Sequence, residues 1–325
     1  MVAGPPFTVA KTSPAPHFSP VTITRRVLPF AVLVCALLWG SAFPGIKAIY
    51  AAWSEIDVAP TLSNRLLLAG VRFAIAGVAL LIISRHPWRQ LAGTPKFPLF
   101  AFACTQTFVQ YILFYWGLAV SSAVLGSLLI ASGSFWWLLL APLLLRTPWP
   151  RKSQWLLLGL GAAGVIFAVY RPGAGSGNPV FGAILFCTST LSGAFGLIVL
   201  QKVCKTMGAR AATGFSLLTG GLMLCLAGVA AWPELLTLFP PKIIGLTLYL
   251  ALVSAAGFSI WNHLTQLFPV NLLAGYRFLI PVCAVLLSSL LVPGESPGLG
   301  IIIGGAMVLT AIIGLQRHRP ASNNQ

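Results

Sequence analysis

The chain has 325 residues, 58% of them hydrophobic and only 7% charged, against about 25% charged in an ordinary soluble protein. Lys and Arg number 20 and Asp and Glu 4, for a formal net charge of +16 and a mean hydropathy of +0.91. These figures exclude a soluble globular domain. They also speak against a nucleic-acid partner, because the basic residues are scattered between apolar runs instead of gathering on a polar face.

An apolar helix of about 20 residues crosses the roughly 30 Å hydrocarbon layer of a bilayer, and almost the whole sequence consists of such runs. The expected fold class is an all-α polytopic membrane protein with ten transmembrane helices. Residues 1–26 carry Pro5, Pro6, Pro14, Pro16 and Pro20 without an apolar core, so they read as a disordered cytoplasmic tail.

The first span, Val27 to Tyr50, contains Gly40 and Pro44; the proline frees a backbone carbonyl and is expected to bend the helix. The second, Leu62 to Ser84, places Arg72 near its middle, and the third, Phe97 to Leu118, places Gln106 and Gln110 on one helical face. The fourth runs from Ser122 to Leu145. The fifth, Gln154 to Tyr170, contains Gly159-Leu160-Gly161-Ala162-Ala163-Gly164. That pattern would cradle a pyrophosphate between a strand and a helix, but inside an apolar span it reads as small residues for helix packing. The sixth and seventh spans are Val180 to Val203 and Ala211 to Trp232. The eighth, Ile243 to Phe268, carries Trp261, Asn262, His263, Thr265 and Gln266. The ninth, Asn271 to Val292, carries Tyr276, Arg277 and Pro281, which is expected to interrupt it. The tenth runs from Gly298 to Gln316, and residues 317–325 form a second cytoplasmic tail.

Charge sets the expected orientation, since Lys and Arg are retained in cytoplasmic loops. With the N-terminus inside, the inner segments hold Lys11, Arg25 and Arg26, then Arg85, Arg89 and Lys96, then Arg146, Arg151 and Lys152, then Lys202, Lys205 and Arg210, and finally Arg317 and Arg319. The outer connections hold Arg171 and Lys242 with all the acids, Glu55, Asp57, Glu234 and Glu295. Both termini are therefore expected to be cytoplasmic.

The chain also echoes itself. Ser41-Ala42-Phe43 matches Gly193-Ala194-Phe195, Leu129-Ile130 matches Leu279-Ile280, and Gly161-Ala162 matches Gly305-Ala306, all at similar offsets. Five spans per half is an odd number, so homologous halves would enter the membrane with opposite orientation. Many secondary transporters are built from inverted halves of this kind and bind their solute where the halves meet.

Trp39-Gly40-Ser41-Ala42-Phe43, Arg72-Phe73, Phe278-Leu279-Ile280-Pro281-Val282 and Gly294-Glu295 resemble the EamA type of drug/metabolite transporter. The resemblance covers everything after the first tail. It implies two inverted five-helix repeats, at 27–170 and 180–316, that move small metabolites such as amino acids and related compounds across the cytoplasmic membrane. One departure is the lack of a proline near Ala131 to match Pro281, which leaves a bend in the fourth span open.

Arg or Lys at the centre of a membrane helix costs about 2.5 to 3.5 kcal/mol on insertion scales, so intramembrane charges need a reason. Lys47 and Arg65 lie within a turn of their span ends and are expected to snorkel. Arg72 faces either an aqueous cavity and its solute or backbone carbonyls, and Arg277 lies at intermediate depth. The candidate solute site is Arg72, Gln106, Gln110 and Asn262, with Trp261, Tyr276 and Arg277 beside them. The alternative for the amides is plain interhelical hydrogen bonding. A cationic site without acids favours an anionic or zwitterionic solute.

No carboxylate falls inside a span, so His263 is the one evident side chain for proton coupling. Facilitated diffusion or exchange is therefore expected. No metal or cofactor is expected, and the cysteines read as apolar packing residues. The partners are a small-molecule substrate and the lipid bilayer, with a homodimer left open. The runner-up is a membrane-embedded enzyme or a non-transporting membrane protein, for which the sequence offers no catalytic motif and no soluble output domain.

Overall fold

A computed structural model describes residues 27–121, 126, 129–169, 178–291 and 299–317. The tails at 1–26 and 318–325, the connection holding Arg171, and Gly294-Glu295 lie outside the described residues. Those described are helical, with no strand among them.

Among the described residues, six helices are long and apolar enough to cross a membrane. They are α1 (Leu28–Ser54), α2 (Leu62–Ile82), α4 (Lys96–Val120), α7 (Pro179–Val203), α8 (Ala209–Ala227) and α9 (Pro241–Leu267). Between α2 and α4 lies the short α3 (Pro87–Ala92). Shorter apolar helices complete the bundle: α5 (Gly133–Leu145), α6 (Lys152–Val169), α10 (Val270–Tyr276), α11 (Leu279–Leu291) and α12 (Leu299–Arg317). The protein is thus a polytopic membrane protein.

Local chemistry fixes several of these starts. The Thr61 hydroxyl accepts the Asn64 N–H at the head of α2, and the Asn178 carbonyl oxygen accepts the Phe181 N–H at the head of α7. Each bond satisfies an N–H with no partner inside its helix. Pro179 and Pro241 occupy first positions, where a missing N–H costs nothing.

The end of the bundle where α1 begins is the near end, and the end where it finishes is the far end. At the near end Gln90 Oε1 accepts the Gly208 N–H at 2.9 Å, and the Thr206 hydroxyl donates to Thr94 Oγ1 at 3.2 Å. The α2–α4 and α7–α8 connections, which carry Arg85, Arg89, Lys202 and Lys205, therefore meet there. At the far end the Trp53 indole donates to the Leu238 carbonyl at 3.0 Å, and Lys242 pairs with Glu55 at 2.9 Å. Basic and acidic connections are thus segregated to opposite ends.

The helix contacts come in matched pairs. α1 packs on α9 and α11, and α7 packs on α4 and α5; α2 packs on α8, and α6 on α12. The α2–α8 contact is antiparallel and glycine-lined. A Cβ at Gly70 would lie 2.7 Å from the Gly221 carbonyl oxygen, one at Gly77 would lie 2.8 Å from the Gly214 oxygen, and one at Gly228 would lie 2.8 Å from the Ser63 oxygen. Gly70 and Gly77 stand to α2 as Gly221 and Gly228 stand to α8, so each glycine meets its counterpart's surroundings on the other helix.

Two helices are interrupted at corresponding places. α5 starts after a turn at Ala131–Ser132, where Ser132 N–H bonds to Leu129 O and Phe135 N–H to Ser132 O. α10 and α11 are separated at Arg277–Phe278, where Arg277 N–H bonds to Ala274 O and Ile280 N–H to Arg277 O. The first interruption carries no proline; there the Ser132 hydroxyl donates to Leu129 O at 2.6 Å. At the second the break precedes the proline: Pro281 sits in the first turn of α11, which corrects the expectation that Pro281 itself interrupts the span. α1 likewise runs through Pro44 as one helix. Gly40 serves close approach, since a Cβ there would lie 2.9 Å from the backbone of Cys283 and Ala284 in α11.

Candidate functional site

A cavity of about 340 Å³ opens between the two sets of helices, within the usual range for small-molecule sites. Its walls come from the far half of α1, from α2 and α4, and from the middle of α7 and α9, with Ile130 before α5 and Arg277 and Ile280 around the second interruption. Exposure falls along it: Lys47 is exposed, Arg65 is half-buried and Arg72 is 5% exposed. The cavity therefore opens toward the far end and closes toward the near end.

Four cations line it, Lys47, Arg65, Arg72 and Arg277, and among the described residues no carboxylate does. Lys47 and Arg65 border the cavity's mouth. Arg65 Nε donates to Pro60 O at 2.7 Å, and its guanidinium lies 5.1 Å from the Tyr50 ring centre. Arg72 lies deeper, with its guanidinium carbon 4.4 Å from the Phe73 ring centre and 5.8 Å from that of Tyr111. Arg277 projects from the interrupted backbone. A Cβ at Gly133 would lie 3.0 Å from its Nη2, so only a glycine at the start of α5 lets the guanidinium cross there. Its carbon is 5.9 Å from the Trp261 ring centre.

Nε of Arg72 and Nε of Arg277 are buried without a hydrogen-bond partner, and no acid among the described residues pairs with either. Aromatic faces lie beside both guanidiniums, an interaction worth about 2 kcal/mol or more when desolvated. That is less than a buried ion commonly loses on leaving water, which is several kcal/mol. An anion entering the cavity would make up the difference with charge-assisted hydrogen bonds.

Of the residues proposed from sequence, Arg72, Gln110 and Arg277 line the cavity. Gln110 sits where α7 offers Gly193, whose absent side chain leaves room for the amide, and the Ser189 hydroxyl donates to Gln110 O at 2.6 Å. Gln106 and Asn262 lie behind the cavity, toward the near end. Their amides bond to each other at 3.1 and 3.3 Å, and Asn262 Nδ2 also donates to Thr213 Oγ1 at 3.0 Å. Gln106 projects from a π-helical turn, Cys104–Val109, that widens α4 against Gly196 of α7. Trp261 and Tyr276 are buried in the core and do not wall the cavity. Trp261 lies tilted against Trp39 at 5.8 Å and against Trp137 at 6.4 Å, behind the floor that Trp39 forms. His263 is half-buried next to Asn262 and does not line the cavity.

The aromatic wall consists of Trp39, Phe43, Tyr50, Tyr111, Phe114 and Phe258. Tyr111, Phe114 and Leu118 continue the Gln110 face at helical spacing, and that period was the signal in the sequence that points to them.

Residues 28–170 match the EamA-like transporter family, and residues 180–316 match it again. The Bacillus subtilis protein named "Uncharacterized transporter YvbV" is 26% identical over 298 residues, covering 89% of this chain and 90% of its own. The Escherichia coli K12 protein named "Uncharacterized inner membrane transporter YedA" is 27% identical over 277 residues, 82% of this chain and 83% of its own. A solved structure described only as "Crystal structure of protein" shares the fold, with a TM-score of 0.70 at 14% identity over 89% of this chain and 96% of that one.

Proposed function

The chain belongs to the EamA-like transporter family, and from that premise we propose that it is a secondary transporter carrying a small solute with an anionic group across the inner membrane by alternating access. The solute site is the cavity between the halves. Arg72 from the first half and Arg277 from the second are its anchors, and Gln110 orients the solute.

The observation that carries this reading is a pair of guanidiniums, one from each half, on one cavity wall, Arg72 buried and Arg277 half-buried, with no carboxylate among the described residues on that wall. Transporter sites at repeat interfaces are expected to combine helix interruptions with a mid-membrane ligand, and Arg277 stands at such an interruption. The matched helix contacts and the reciprocal α2–α8 glycines support two inverted five-helix halves, hence ten spans. The segregation of basic connections to the near end supports both termini being cytoplasmic. On that assignment the structure stands open to the outside and is closed inside by the Gln106–Asn262–Thr213 bonds and the Trp39–Trp261–Trp137 cluster. The lack of a carboxylate on the cavity wall among the described residues favours exchange or facilitated movement over carboxylate-based proton coupling.

The test is a thermal-shift screen of metabolites on purified protein, since a ligand of the folded state raises its melting temperature, followed by uptake of the best ligand into proteoliposomes. Uptake is expected to fall at least about tenfold in Arg72→Gln and in Arg277→Gln, which removes roughly 1.4 kcal/mol or more of binding. Equal uptake by both variants and the wild type would remove the guanidiniums as anchors.

A further inference from the structure

We propose that the cavity selects organic acids that carry an apolar or aromatic body and no ammonium group, and discriminates against the corresponding zwitterionic amino acids. This rests on the reading of the cavity as the transport site and narrows what it takes.

An α-amino acid presents a carboxylate and an ammonium within one bond of the same carbon, so a site for it needs opposite charges close together. Among the described residues every ionised group on the wall has one sign: Lys47, Arg65, Arg72 and Arg277. The described acids, Glu55, Asp57 and Glu234, belong to the far-end connections and none borders the cavity. Two rings of the wall, Tyr50 and Tyr111, already face guanidiniums. Arg72 covers Phe73 and Tyr111, Arg277 lies against Trp261, and Arg65 lies over Tyr50. An ammonium held by its carboxylate beside Arg72 or Arg277 would meet like charge in a poorly solvated place, which is how binding sites reject wrong partners. A carboxylate alone meets two guanidiniums on the cavity wall, Arg72 and Arg277. The rest of the wall, Trp39, Phe114, Phe258 and Ile280 among it, suits an apolar body.

Gln110 is the residue through which this preference can be reversed. It lines the cavity, and Gln110→Glu changes shape hardly at all while adding the one acid the wall lacks.

Three probes share one benzene ring and differ only in charge: 3-phenylpropionate, L-phenylalanine and 2-phenylethylamine. Each is titrated calorimetrically into the full-length protein in nanodiscs at pH 7. The wild type is expected to bind 3-phenylpropionate at least about tenfold more tightly than phenylalanine, and phenylethylamine not measurably. Gln110→Glu, checked for an unchanged melting temperature, is expected to lose affinity for 3-phenylpropionate and to narrow or invert the ratio. Phenylalanine binding as tightly as 3-phenylpropionate overturns the proposal, as does a failure of all three probes to bind, or an unchanged ratio in a folded Gln110→Glu protein. Counterflow in proteoliposomes separates the two layers of the account. Selective binding without counterflow refutes transport and leaves the selectivity standing. Counterflow of phenylalanine with equal affinity refutes the selectivity and leaves transport standing.

Discussion

Gly221→Ala probes the contact on which the position of Arg72 depends. A Cβ on Gly221 would lie 2.6 Å from the Ala74 nitrogen, 2.8 Å from the Gly70 oxygen and 3.1 Å from the Phe73 carbonyl carbon. All three are backbone atoms of α2, so no side chain can swing away. Ordinary contact begins near 3.5 Å, so α2 must withdraw by roughly 0.9 Å. Overpacking of this kind costs about 1 to 3 kcal/mol, set against a gain of up to about 1 kcal/mol from replacing glycine in a helix. The net loss of about 0 to 3 kcal/mol corresponds to a melting-temperature drop of up to about 12 °C, at roughly 2 to 4 °C per kcal/mol for a chain this large. Gly159→Ala is the control, because a Cβ there meets nothing within 4 Å. Intrinsic tryptophan fluorescence on heating in detergent reads both variants. The reasoning predicts Gly221→Ala below the wild type and Gly159→Ala at or above it. It also predicts weaker solute binding in Gly221→Ala, since the displaced backbone adjoins Arg72. Gly221→Ala melting no lower than Gly159→Ala would refute it.

Asn262→Leu removes the bonds that hold Gln106 and Thr213, and stranding those buried groups should cost about 1 to 3 kcal/mol; Gln106→Leu/Asn262→Leu together should cost less than the two single changes summed, as read by thermal unfolding. Ser134→Ala deletes a 2.8 Å bond to the Ala274 carbonyl that ties the two interrupted helices together, and should cost about 0.6 to 1.5 kcal/mol on the same assay. Gly133→Ala places a methyl 3.0 Å from Arg277 Nη2, and should weaken solute binding more than it lowers the melting temperature, seen by calorimetry beside fluorimetry. Lys242→Ala breaks an ion pair whose two side chains are 63% and 62% exposed, and should change the melting temperature by no more than about 1 kcal/mol would.

Membrane character was legible in composition because hydrocarbon imposes long apolar runs that no soluble fold tolerates. The depth of Arg72 followed from counting residues along a span. The near-end and far-end segregation of charge followed from loop composition and appears in the bonds between connections. Side-chain direction was less accessible. Gln106 and Gln110 share a helical period, yet a π turn ends between them, so Gln110 reaches the cavity while Gln106 turns to Asn262. Lys47 and Arg65 sit at span ends, which permits snorkelling, but rotation of the helices aims both at the cavity mouth. The interruption at Ala131–Ser132 carries no proline and so leaves no breaker residue in the sequence to read. Trp261 and Tyr276 are expected from the sequence beside the solute site, and only packing places them in the core.

The most direct test of an alternating path is the sidedness of one thiol. Ile130 lines the cavity and is half-buried; Ile130→Cys in an otherwise cysteine-free protein is treated with a membrane-impermeant thiol reagent from each side of oriented vesicles. Without solute the cysteine should react only from the side facing the far end. With a transported solute present it should become reactive from the opposite side as well. Labelling from one side alone, whatever solute is added, would contradict the account.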